Sequence, residues 1–310
     1  MKNSMRAALA LGAITVGFTA PVAAQATFFA NPSCYSNTTG YPIPCNVKME
    51  EFGGPIMSNP VSVYNIWYGA SANSTVNTLS GFFGNLTGSA YINISSLYGS
   101  TTTINFGGNT FRSAYLGNSL TDAQLGQIVN DAIADALVPS SNDAIYNIFT
   151  ARGISEQEDA FACAFHSDVS GLKFAWMGSK YFDTGNGCGQ GTFDENITSA
   201  ASHEMFETLT DPMVNEASTY GPPLGWYDGG GTNQGENGDM CNQASFRTTL
   251  GGSQYYVQAI FVNDPSYAAG GFCASGVPVA TTATPEPASL FLVGSGLLSV
   301  LGLAARRRKA

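Results

Sequence analysis

A chain of 310 residues with a formal charge of −10 can bury a sizeable core without depending on metal or disulfide staples. Its basic residues gather at the ends. Lys2, Arg6, Arg306, Arg307, Arg308 and Lys309 are six of the twelve, so 27–287 sets six basic groups against twenty-two acidic ones, a formal −16. A domain of that sign repels phosphate backbones, which excludes nucleic-acid binding and favours divalent cations or basic partners.

Lys2 and Arg6 precede the apolar run Ala7–Ala20 and the small residues Ala24-Gln25-Ala26. Together they read as a secretory signal peptide over residues 1–26, with cleavage after Ala26 and Ala24 as the alternative. The expected mature domain, 27–280, opens with a turn-rich strap, Thr27–Gly54. Pro60–Tyr68 alternates and is rich in β-branched and aromatic residues, so it predicts a strand. Asn73–Leu86 predicts a helix with Val76, Leu79, Phe82, Phe83 and Leu86 on one face. Tyr91–Phe111, with several Gly and Asn around Thr101–Phe106, predicts short strands and a hairpin. Thr121 caps a helix running to Leu137, its apolar face Leu125, Ile128, Val129, Ile133 and Leu137, and Pro139 ends it. Ala144–Thr150 and Lys173–Met177 read as strands, Thr198–Leu209 as a helix stopped by Pro212, and Gln254–Asn263 as a last long strand. Alternating strands and helices predict an α/β fold, a single disulfide-supported domain with a mixed sheet and helices packed on it.

After a short linker come Pro285-Glu286-Pro287, the uncharged run Ser289–Ala305 and the cluster Arg306–Lys309. As a helix the run would span about 25 Å of a hydrocarbon core of roughly 30 Å, which snorkelling arginines make sufficient. The basic end should stay cytoplasmic and leave the bulk outside. Residues 281–310 resemble the PEP-CTERM sorting tail of Gram-negative bacteria, which the membrane transpeptidase exosortase recognises and cuts. An ordinary single-pass anchor is the alternative. The resemblance implies export across a Gram-negative inner membrane, exosortase as partner, and membrane contact only through the tail before processing. The destination is then the cell envelope or the extracellular space.

All six cysteines fall in the exported part, where an even number without a C-x-x-C pair reads as disulfides. Of fifteen connectivities, sequence order favours Cys34–Cys45, Cys163–Cys188 and Cys241–Cys273, each closing a modest loop.

One constellation could carry chemistry, Ser202-His203-Glu204-Met205-Phe206-Glu207 followed by Asp211-Pro212. On a helix His203 and Glu207 share a face and could ligate one divalent ion, the zincin-like H-E-x-x-H arrangement with Glu in place of the second His. Glu204 then stands where the general base acts on metal-bound water. The competing reading is a solvated acidic helix. Downstream, Glu236 and Asp239 beside Cys241 could complete the shell or simply form a polar surface loop. Their spacing does not fit a helix–loop–helix calcium site, so zinc is favoured over calcium. His166, three residues after Cys163, is either a loop histidine near a disulfide or a ligand folded against the acidic helix.

Several segments carry a second resemblance. They are Gly53-Gly54-Pro55-Ile56 leading to Tyr64–Gly69, Leu120-Thr121-Asp122, Ile145–Thr150 and Cys163–His166. Ser202-His203-Glu204 with Thr210-Asp211-Pro212, Trp226-Tyr227-Asp228, Gly235–Cys241 and Tyr255–Phe261 continue it. Their order is similar to the phosphate-induced, EXORDIUM-like family of secreted plant proteins, most of all its bacterial branch, from which Asn237 departs where an apolar residue is usual. The resemblance implies a secreted protein without an established reaction. The main expectation is therefore a non-enzymatic extracellular protein whose acidic, metal-binding domain works in the envelope or exopolysaccharide matrix. The alternative is a secreted zinc hydrolase, a peptidase with His203 and Glu207 as ligands and Glu204 as base.

Overall fold

The computed structural model describes residues 28–29, 48–157, 162–183, 188–214, 220–229, 235–242, 244–265 and 270–277. The expected signal peptide, the Cys34–Cys45 bridge and the sorting tail with its apolar run lie outside these residues. No helix among the described residues is long and apolar enough to cross a membrane.

Two short strands, β1 (Phe28–Phe29) and β2 (Met49–Glu51), fall within the stretch expected to be irregular. β3 (Val61–Tyr68) and α1 (Asn73–Gly84) lie where periodicity puts them, and α1 buries Leu79, Phe82 and Phe83. Tyr91–Phe111 is not a hairpin. It holds a 3-10 segment, Ile92–Tyr98, that buries Ile92, Ile94 and Tyr98, then one long strand, β4 (Ile104–Arg112), parallel to β3. The glycines there make a bulge rather than a reversal: a Cβ on Gly107 would lie 2.1 Å from the Tyr64 ring, and Gly108 has φ 120°.

β5 (Ser119–Leu120) leads into α2 (Asp122–Ala134), which starts at a capping box of Thr121 and Gln124. This helix stops short of the expected Leu137. Ala136 adopts φ 55° and the Leu137 N–H bonds back to the Ala132 carbonyl, a Schellman-type end that leaves Leu137 exposed. β6 (Ala144–Thr150), β7 (Ser155–Glu156), β8 (Ala164–Val169) and β9 (Leu172–Gly178) follow. β8 was not anticipated. It pairs antiparallel with β9 through Ser170-Gly171, whose φ values of 51° and 80° have the sign a two-residue hairpin turn needs.

α3 (Phe193–Thr210) begins earlier than the expected Thr198, at a second capping box formed by Thr192 and Glu195. β10 (Trp226–Asp228), β11 (Ser245–Leu250), β12 (Ser253–Gln258), β13 (Ile260–Asn263) and β14 (Gly271–Ala274) complete the chain order. The single strand expected over Gln254–Asn263 is two: β12 pairs with β11 and β13 with β14, and Ala259 bonds to Ala244 at the break.

The main sheet has the order β4-β3-β6-β9-β8, parallel except at the β8 edge. Side chains alternate between its faces. Ile66, Tyr68, Tyr146, Ile148, Phe174 and Trp176 pack with Leu125, Ile128 and Val129 of α2. Val63, Trp67, Ile145, Phe149, Ala175 and Met177 share the other core with α1 and α3. Helices on both sides explain why every residue of β6 is buried. α3 is itself enclosed, with β8 and β9 on one side and β12 on the other. Thirteen of its eighteen residues are buried, so it is not a solvated acidic helix. Cys163–Cys188 and Cys241–Cys273 are joined as expected, each with Cα atoms 5.7 Å apart.

Candidate metal centre

The α-helical repeat puts His203 and Glu207 one turn apart on α3, and His203 Nε2 lies 2.9 Å from Glu207 Oε1. Glu204 and Glu207 are only 3% and 4% exposed, so their charges sit inside the protein. Asp211 at the helix end is fully buried, with Oδ1 accepting the Gly225 N–H at 2.9 Å.

His166 arrives from β8. Its register opposite Ala175 sends it to the α3 face of the sheet, where it is 3% exposed. Nε2 is 2.9 Å from the Asp211 carbonyl oxygen, an acceptor, which assigns the ring proton to Nε2. Nδ1 faces Glu204 Oε2 at 3.5 Å and Glu207 Oε2 at 3.6 Å. Sequence reasoning left His166 open between two readings. The signal that could have decided it was the Ser170-Gly171 turn flanked by apolar residues, which makes 164–178 a hairpin and sets the face of each residue.

The 235–241 loop closes the site. The Asp239 N–H donates to Glu207 Oε1 at 3.0 Å, and Asp239 Oδ2 accepts the Glu236 N–H at 3.1 Å. Asp239 Oδ1 is 3.5 Å from His203 Nε2, and Glu236 Oε1 is 3.6 Å from His166 Nε2. The loop is fixed by Cys241–Cys273 and by Asn237, which donates to Thr210 Oγ1 at 3.0 Å and accepts from the Phe261 N–H at 2.9 Å. Gly238 is required by close approach, because a Cβ there would stand 2.7 Å from Glu207 Oε1 and 3.0 Å from His203. The expected residues His203, Glu204, Glu207, Glu236 and Asp239 thus converge, Asp239 at the more exposed rim, and His166 joins them.

Burial disfavours every charge in the cluster. It raises the Glu204 carboxyl and pushes that of Glu236 well above its usual range. It acts on Glu207 too, but His203 and His166 outweigh it and hold that carboxyl at about 2. Burial also opposes protonation of both imidazoles, and the surrounding carboxylates overcome it, drawing both well above the usual range. Asp211 is raised to about 6 by burial. Every carboxylate in the set would be stabilised by added positive charge. Glu204 Oε2 and Glu236 Oε1, although buried, accept no hydrogen bond.

Two ligand sets have their donor atoms within 4.8 Å of one another: His166, Glu207 and Glu236, and His203, Glu204 and Glu207. Mixed imidazole and carboxylate donors suit zinc and its first-row neighbours, whereas calcium takes oxygen ligands. A cleft of about 290 Å³ reaches the centre from the His203 side, lined by His203, Glu204, Asp239, Asn242, Tyr256 and Gln258. His166 and Glu236 are away from that lining.

No curated protein and no solved structure matches the chain. Residues 283–309 match the PEP-CTERM protein-sorting motif, a tail recognised by exosortase, which directs this protein to export toward the cell envelope or extracellular space.

Proposed function

We propose that the exported domain is a metal-binding module of a Gram-negative envelope or exopolysaccharide matrix, holding a divalent cation, zinc rather than calcium, between α3 and the 235–241 loop. The observation that carries this is the pair of buried oxygens, Glu204 Oε2 and Glu236 Oε1, that accept no hydrogen bond while both face His166. An orphaned buried carboxylate is costly, and a cation would satisfy it. His203, Glu207, Glu236 and Asp239 are the ligands expected from sequence, and His166 adds a second imidazole. The order of segments resembling EXORDIUM-like proteins supports an extracellular, non-catalytic role by analogy alone.

Metal analysis of the full chain should give at least one zinc per molecule. Chelation should lower its melting temperature by about 5–10 °C, taking ligand at ~100-fold over Kd in a domain of this size. His203→Ala should melt lower and lose the response to chelator. A wild-type chain free of stoichiometric metal and indifferent to chelator overturns the proposal.

A second reading, a zinc hydrolase with Glu204 as base, is favoured by the cleft that reaches His203 and Glu204. Glu204→Gln separates the two readings: a hydrolase would retain zinc but lose peptide cleavage, whereas the matrix module would show no cleavage in either form.

A further inference from the structure

We propose that the site is dinuclear: two divalent transition-metal cations, bridged by Glu204 and Glu207, one capped by His166 and Glu236 and the other by His203 and Asp239. This rests on the metal-binding reading and deepens it.

The two carboxylates on α3 each straddle the gap between the histidines. Glu204 turns Oε2 to His166 Nδ1 at 3.5 Å and Oε1 to His203 Nε2 at 4.0 Å. Glu207 does the same, with Oε2 at 3.6 Å from His166 Nδ1 and Oε1 at 2.9 Å from His203 Nε2. Each imidazole therefore faces one oxygen from each carboxylate. Donors about 2.1 Å from a tetrahedral ion stand roughly 3.4 Å apart, close to most of these separations. The two ligand sets share Glu207, the arrangement of a carboxylate joining ions about 3.5–4 Å apart.

Terminal donors are divided in the same way. Glu236 offers an oxygen within 4.8 Å of the donor atoms of His166 and Glu207, and Asp239 Oδ1 lies 3.5 Å from His203 Nε2. Charge is compatible with the count, since four carboxylates balance two divalent ions when both imidazoles bind as neutral ligands. On this reading Glu204 is a bridge rather than a base. The sides differ in access, because the cleft touches His203 and Asp239 but neither His166 nor Glu236. The His166 ion is therefore held more tightly, and the His203 ion exchanges.

The test is zinc titration of the full chain, untagged and stripped by chelator, followed by calorimetry and elemental analysis after desalting. Two zinc ions per chain in two resolved steps are expected. Asp239→Asn alters a rim residue whose side chain is 41% exposed, so the fold should survive. It should weaken the second step at least tenfold and leave the first unchanged. Manganese at two equivalents should give an exchange-coupled EPR spectrum. One zinc per chain, both steps shifting together in Asp239→Asn, or an isolated six-line manganese signal at two equivalents overturns the paired site. A single ion leaves the metal-binding reading standing, whereas none removes both.

Discussion

The two faces of the five-stranded sheet use alternate residues of the same strands, yet they follow opposite rules. Toward α2 the contacts are aliphatic and aromatic, with Ile66, Ile148 and Trp176 against Leu125 and Ile128. Toward α1 and α3 the same strands place Asn65 and Asn147 at mid-sheet and His166 at the edge, all buried. Asn147 Nδ2 donates to Asn65 Oδ1 at 3.1 Å, Asn65 Nδ2 to Asn109 Oδ1 at 3.4 Å, and Asn109 Nδ2 reaches Ser80 Oγ at 2.8 Å. Apolar burial stabilises the first face with no partner to specify. The second needs every polar group satisfied, and buried ions cost several kcal/mol each unless compensated. The α2 face secures the fold, and the α3 face spends part of that stability on a site.

Ile148→Ala on the α2 face should show the largest effect, a loss of about 2–4 kcal/mol in urea unfolding. The loss should be equal with and without chelator. A difference between the two conditions would mean the faces are coupled and break the comparison.

Asn65→Ala on the opposite face should cost about 1–3 kcal/mol, because it strands the buried Asn147 amide. Asn65→Ala losing less than Ile148→Ala, while zinc content stays unchanged, would separate the polar ladder from the metal centre.

The smallest effects should come at the N-terminus of α3. Thr192→Ala removes the capping hydroxyl and should cost about 1 kcal/mol. Glu195 is held below its usual pKa by the Thr192 N–H and by Arg247. A depressed carboxyl stabilises above its unfolded value, about 4.3, and that contribution disappears as pH falls through the lower folded value. Stability measured against pH should therefore show Glu195→Gln slightly weaker than wild type near neutrality and equal to it at the acid end. A difference that grows on acidification would contradict the capping role.

Local pattern carried much of this in the sequence. β3, β6 and β9 were legible because short apolar runs rich in aromatic residues, and in β3 and β6 also β-branched ones, suit strands with both faces covered. The i, i+4 relation of His203 and Glu207 needs nothing but the helical repeat. Two disulfides followed from order and spacing. What local pattern misjudged were the places where a neighbour decides: the bulge at Gly107 under the Tyr64 ring, the early end of α2, and the division of β12 from β13 between different partners.

By itself the sequence determined the acidic charge, the sorting tail, the alternation of strands and helices, and the His-Glu face of α3, since each is a property of composition or of spacing within one element. Only the tertiary structure decided that α3 is enclosed, that His166 crosses from a strand edge to face Glu204 and Glu207, and that the 235–241 loop lowers Glu236 and Asp239 onto the same point. Those placements depend on strand register, a hairpin turn and a disulfide, with His166 reaching Asp211 across 45 residues and Cys241 joined to Cys273 across 32. Spacing along a chain fixes the direction of a side chain within its element. The docking of elements fixes what that side chain meets.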